Sequence, residues 1–123
     1  MLQIALDKIA HVIIRARDYD SGVNAWAHQG SRRQHSTRTE LHDFIDGLNE
    51  DEQASLVALM WIGRESFEAE ELAEAMTTAR TERSSPTADY LMGEPRLADL
   101  LEAGLDALGI SPGEIEDQLQ KPV

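Results

Sequence analysis

The sequence predicts an all-α fold, a compact bundle of about six helices with no sheet. Three observations carry this. Apolar residues recur at steps of three and four along most of the chain, residue types that start and stop helices bracket those runs, and no stretch alternates as a strand would. At 123 residues the chain is read as a single helical domain, 1–123, with one hydrophobic core of its own.

The first helix rests on Leu2, Leu6, Ile9, Ile13 and Ala16, one stripe that leaves Asp7, Lys8, Arg15 and Arg17 off it. Residues 21–38, SGVNAWAHQGSRRQHSTR, break that pattern with two glycines, three arginines and no acid, and read as an irregular basic segment. Thr37 and Glu40 stand at capping-box spacing before LHDFIDGL, a short second helix.

The third helix is the densest. In LNEDEQASLVALMWIG, Asn49 is a good N-cap, Glu52 closes a capping box three residues on, and Glu50 and Asp51 put negative charge at the positive end of the helix dipole. Leu56, Val57, Leu59, Met60, Trp61 and Ile62 then cover most of the circumference, which predicts a helix at the centre of the domain with all four of Leu56, Leu59, Met60 and Trp61 buried. Gly63 is read as its left-handed stop. Ser66 is read as the cap of a fourth helix with Leu72, Met76 and Ala79 on its inner stripe, broken at Ser84–Pro86. A short piece from Thr87 ends at Gly93. Pro95 opens a leucine-lined helix, with Leu97, Leu101, Leu105 and Leu108 on one side, that stops at Gly109. Ser111, Pro112 and Glu114 carry one more helix-start signal.

Composition excludes several classes. The chain has no cysteine, hence no disulfide, thiolate metal site or thiol nucleophile. Its longest uncharged apolar run falls far short of the ~20 residues that span a bilayer, and the N-terminus lacks the basic start and cleavage site of a secretory signal, so a cytoplasmic protein without membrane insertion is expected. Residues 1–38 hold six basic and three acidic side chains, and the remainder five basic and twenty acidic, which makes the net charge −12. A surface of that sign repels phosphate backbones, so no general nucleic-acid binding is expected.

Chemistry-bearing residues are sparse. His11, His28, His35 and His42 form none of the spacings that build metal sites in bundles, and His42 with Asp46, one helical turn apart, is short of ligands. Glu70, Glu71 and Glu74 read as a solvated helix face. No nucleophile elbow, P-loop or dinucleotide glycine pattern is present. No catalytic residue, metal ligand or cofactor is therefore expected, and an enzyme is unsupported rather than excluded.

LNEDEQASLVALMWIGR and TADYLMGEPRLADLLEAGLDALG, with IALDKIAHVIIRARDYD before them, resemble a bacterial domain-of-unknown-function family, three-seven-seven-five. The resemblance implies a small helical bacterial protein and carries over no activity.

Two functional expectations follow. The first is a non-enzymatic protein-interaction or regulatory module that pairs with a second copy or another protein; apolar residues of the first helix and its sequel, Ile4, Val12, Ile14 and Trp26, are its interface candidates. The second is a small anionic-ligand-binding protein or enzyme. There Arg32, Arg33, His35, Thr37 and Arg38 would gather at the start of the second helix, whose free N–H groups and arginine forks suit phosphate or carboxylate.

Overall fold

The computed structural model describes residues 2–25, 31–82 and 86–110, the side chains of 18–25 and 31–37 excepted. The fold is all-α: α1 (Leu6–Ala25), α2 (Ser31–Asp46), α3 (Glu50–Gly63), a 3-10 turn (Ala69–Glu71), α4 (Leu72–Thr81), α5 (Thr87–Met92) and α6 (Leu97–Ala107). No strand occurs among the described residues.

The apolar block of α3 is core. Every residue from Gln53 to Met60 is buried, and so is Ile62. A helix apolar on all sides must be covered on all sides, and α3 is: α6 and α4 pack along it, while α1 lies on α2 and α6. α5 is carried mainly by α2. The acids before the block start the helix as expected. Asn49 Oδ1 accepts from the Glu52 N–H at 2.8 Å, and the Asn49 N–H donates back to Glu52 Oε1 at 3.0 Å, a box whose cap is worth about 1 kcal/mol.

Glu52 has a second partner, Lys8 Nζ, which ties α1 to the start of α3. The Lys8 hydrogen bond first, and the Asn49 N–H second, hold the Glu52 carboxyl below the usual carboxylate range. A folded pKa lowered below its unfolded value stabilises the chain fully above the unfolded value, and that contribution disappears as pH falls through the folded one. The gap in Tm between the native chain and Glu52→Gln is therefore expected to be widest near neutral pH and to close in acid. A gap that stays constant with pH would refute this role for the ionised carboxylate.

Helix boundaries depart from expectation at three places. Residues 21–25 continue α1 and 31–38 belong to α2, so the expected irregular segment is helical wherever it is described; 26–30 lie outside the described residues. Polarity there was no bar to helix, since the stretch lacks proline and its arginines and glutamine are good helix formers. Thr37 is accordingly inside α2 rather than at its cap, and Glu40 pairs with Arg15 of α1 at 2.6 Å instead of reaching back along its own helix. The fourth helical run starts later than Ser66: Ser66 Oγ accepts from Arg64 Nε, and the Glu68 N–H donates to Glu71 Oε1 at 2.8 Å to begin the 3-10 turn.

Gly63 is the third departure. It remains within α3, and the left-handed residue is Glu65, with φ of 69°. The N–H groups of Arg64, Glu65 and Ser66 close the helix on the carbonyls of Met60, Ile62 and Trp61. What requires glycine at 63 is space, because the α6 backbone passes directly against it. Gly109 does end α6 in the left-handed region, φ 85°, with Ile110 N–H returning to the Leu105 carbonyl at 2.9 Å. The last helix-start signal, Ser111 to Glu114, lies outside the described residues.

Candidate functional site

Three aromatic side chains from separate parts of the chain meet at the surface. Trp61 stands near the end of α3, half-buried rather than central as its sequence position suggested, and packs at the rim of the core. Its indole N–H needs a partner that an apolar interior would not supply. It donates to Tyr90 Oη of α5 at 2.9 Å. On its other side the indole stacks on Phe67, with ring centroids 5.6 Å apart and planes 23° from parallel. Tyr90 is 40% exposed. Exposed acids neighbour these rings in the chain: Glu65 and Glu68 on either side of Phe67, and Asp89 beside Tyr90.

The interface candidates fall differently. Ile4, just ahead of α1, and Val12 within it are buried in the chain's own core and offer no surface, and α1 packs on α2 and α6. Ile14 is 45% exposed. Trp26 lies outside the described residues.

The cations of the first 17 residues are spent within the chain. Lys8 takes Glu52, Arg15 takes Glu40, and Arg17 forks onto Glu102 with Asp99 at 3.6 Å, joining α1 to α6. The Glu102 hydrogen bonds raise the Arg17 pKa further above its ordinary value. Of the anion-site candidates, Arg32, Arg33, His35 and Thr37 lie in the first two turns of α2, with side chains outside the described set, and Arg38 is exposed without an ion pair among the described residues. Thr37 and its successors lie inside α2, so they do not supply the first-turn N–H groups expected of them.

His42 meets Asp89 Oδ1 of α5 at 3.2 Å rather than pairing with Asp46, and His11 lies against Phe44 with centroids 5.8 Å apart. Among the described residues no group of three His, Asp or Glu could hold a metal. A cleft of about 220 Å³ opens between α3, the end of α4 and the start of α5, floored by Gln53 and Thr87 and walled by Glu50 and Arg80. Two of its polar groups are already engaged: Gln53 Nε2 donates to the Ile45 carbonyl at 2.9 Å, and Arg80 pairs with Asp51 at 2.9 Å. That volume is below the roughly 300–1,000 Å³ of ligand pockets.

None of the aromatic grouping was legible beyond Trp61, since residues 61, 67 and 90 share no periodicity. A family model described as "Protein of unknown function (DUF3775)" matches residues 38–110, from within α2 to just past α6. The Ile4–Asp20 stretch lies outside that match. No curated protein and no solved structure matches the chain. No helix among the described residues is long and apolar enough to cross a membrane.

Proposed function

We propose that this chain, which belongs to the DUF3775 family, is a non-enzymatic protein-interaction module of the bacterial cytoplasm, one helical domain that pairs with a second copy of itself. The observation that carries this reading is the surface grouping of Trp61, Phe67 and Tyr90. Trp, Tyr and Phe are the side chains that interfaces favour, because they bury much area at little entropic cost and still satisfy a polar tip. Here the Trp61–Tyr90 hydrogen bond also orders the two rings before any partner arrives, which lowers the cost of association.

Sedimentation equilibrium over a wide concentration range is expected to give the mass of a dimer. Tyr90→Ala, at an exposed position that the core does not need, is expected to weaken pairing at least tenfold, as loss of an interface anchor does. Monomer mass throughout the range, with the native fold intact, would overturn the reading.

A further inference from the structure

The turn that closes α3 carries a feature that folding alone does not ask for. Glu65 holds the left-handed backbone there, φ 69°, a conformation that helix ends usually give to glycine because side chains fit it poorly. The residue is exposed, and its carboxylate has no ion pair among the described residues. A strained position held by a charged side chain points to a use for that side chain. Arg64 beside it is exposed as well. Its Nε donates to Ser66 Oγ at 3.2 Å, and its two terminal nitrogens have no partner among the described residues. Lys8, Arg15, Arg17 and Arg80, by contrast, are held by acids of their own chain. The charged turn also belongs to the aromatic grouping, since it folds Phe67 back onto Trp61: the Ser66 N–H donates to the Trp61 carbonyl at 2.9 Å, and the two rings stack.

Two copies of a chain with net charge −12 repel at long range, so a contact between them gains where opposite charges meet locally. In a closed pair the same patch meets itself, and whatever residue i does to residue j is returned by j to i. A neighbouring cation and acid satisfy that rule directly, because near a two-fold axis each can face the other's counterpart. We propose that the Arg64–Glu65 turn lies at the two-fold axis of the pair, with the Arg64 guanidinium of each copy on the Glu65 carboxylate of the other and the Trp61–Phe67 stacks flanking both contacts. This rests on the pairing reading above and specifies its contact. It also gives a reason for an acid where glycine would be less strained.

The test uses the full chain in sedimentation equilibrium, with Arg64→Glu, Glu65→Arg and Glu65→Gly, and with circular-dichroism melts to establish that each variant folds. Each charge reversal alone is expected to lose at least tenfold in pairing affinity, because it sets like charges together twice across the axis. For Glu65→Arg this outcome is opposite to that of overall repulsion, since the substitution lowers the net negative charge and repulsion alone would then tighten the pair. An equimolar mixture of the two reversals is expected to recover a mixed dimer, in which both contacts are again of opposite sign. Glu65→Gly is expected to raise Tm at concentrations where the chain is monomeric and yet to weaken pairing. A native dimer that Glu65→Arg tightens or leaves unchanged, a mixture that does not recover, or a Glu65→Gly variant that pairs as the native chain does overturns this contact while leaving pairing itself in place. A native chain that stays monomeric overturns both.

Discussion

Gly63→Ala is expected to destabilise the chain by about 3 kcal/mol, the upper end of what forcing extra atoms into a packed interior costs. A Cβ at position 63 would lie 2.8 Å from the Leu100 carbonyl carbon and 2.9 Å from the Gly104 backbone nitrogen, and nearer still to the Leu100 oxygen. All three are backbone atoms of α6, so no side-chain rotation relieves the clash, and the two helices would have to separate. Gly104 mirrors the arrangement, its absent Cβ directed at the backbone of Leu59. The two central helices thus touch backbone to backbone at a pair of glycines. In a chain of this size the loss corresponds to a fall in Tm of roughly 10 °C or more. Gly93→Ala is the control: the backbone there is ordinary and the nearest atoms are at 3.4 Å, so a change within about 0.5 kcal/mol is expected. Equal melting points for the two variants would refute the close approach of α3 and α6.

The contrast between these glycines shows where sequence reasoning reached and where it stopped. Signals local in sequence carried through: Asn49 and Glu52 start α3, Gly109 ends α6, and the all-round apolar surface of α3 places it at the centre. Each of those rests on neighbours within a turn or two. Gly63 was ambiguous because a stop and a close approach look alike along the chain, and only Leu100 and Gly104, some forty residues away, distinguish them. Trp61 was placed too deep for a similar reason. Its apolar neighbours argued for burial, while the Tyr90 hydroxyl that lets its N–H stay at the rim is 29 residues further on. The start of α2 was misplaced because Thr37 and Glu40 stand at capping-box spacing after a polar stretch with no apolar stripe, whereas Thr37 lies inside α2 and Glu40 pairs with Arg15 of α1. The interface candidates suffered most. Ile4 and Val12 are apolar because they are core, and the surface aromatics that replace them as candidates could be grouped only once α3 and α5 were in place.

Leu59→Ala is expected to cost about 4 kcal/mol, in the upper part of the range for truncating a buried leucine. Leu59 is fully buried at the middle of α3. How much such a truncation costs depends on whether the surroundings collapse into the space left behind. Here they are held open, because α6 already rests on the α3 backbone at Gly104 and moves no closer. The same geometry predicts the double variant. A Cβ on Gly104 would lie 3.0 Å from Leu59 Cδ1, which Leu59→Ala removes, but also 3.1 Å from the Leu59 carbonyl carbon and closer to its oxygen, which every residue retains. The new methyl group therefore gains nothing from the cavity. Gly104→Ala combined with Leu59→Ala is expected to be less stable than either single variant, as read from urea midpoints at unchanged slope. A double variant more stable than Gly104→Ala alone would mean that the side chain, and not the backbone, sets the distance between the two helices.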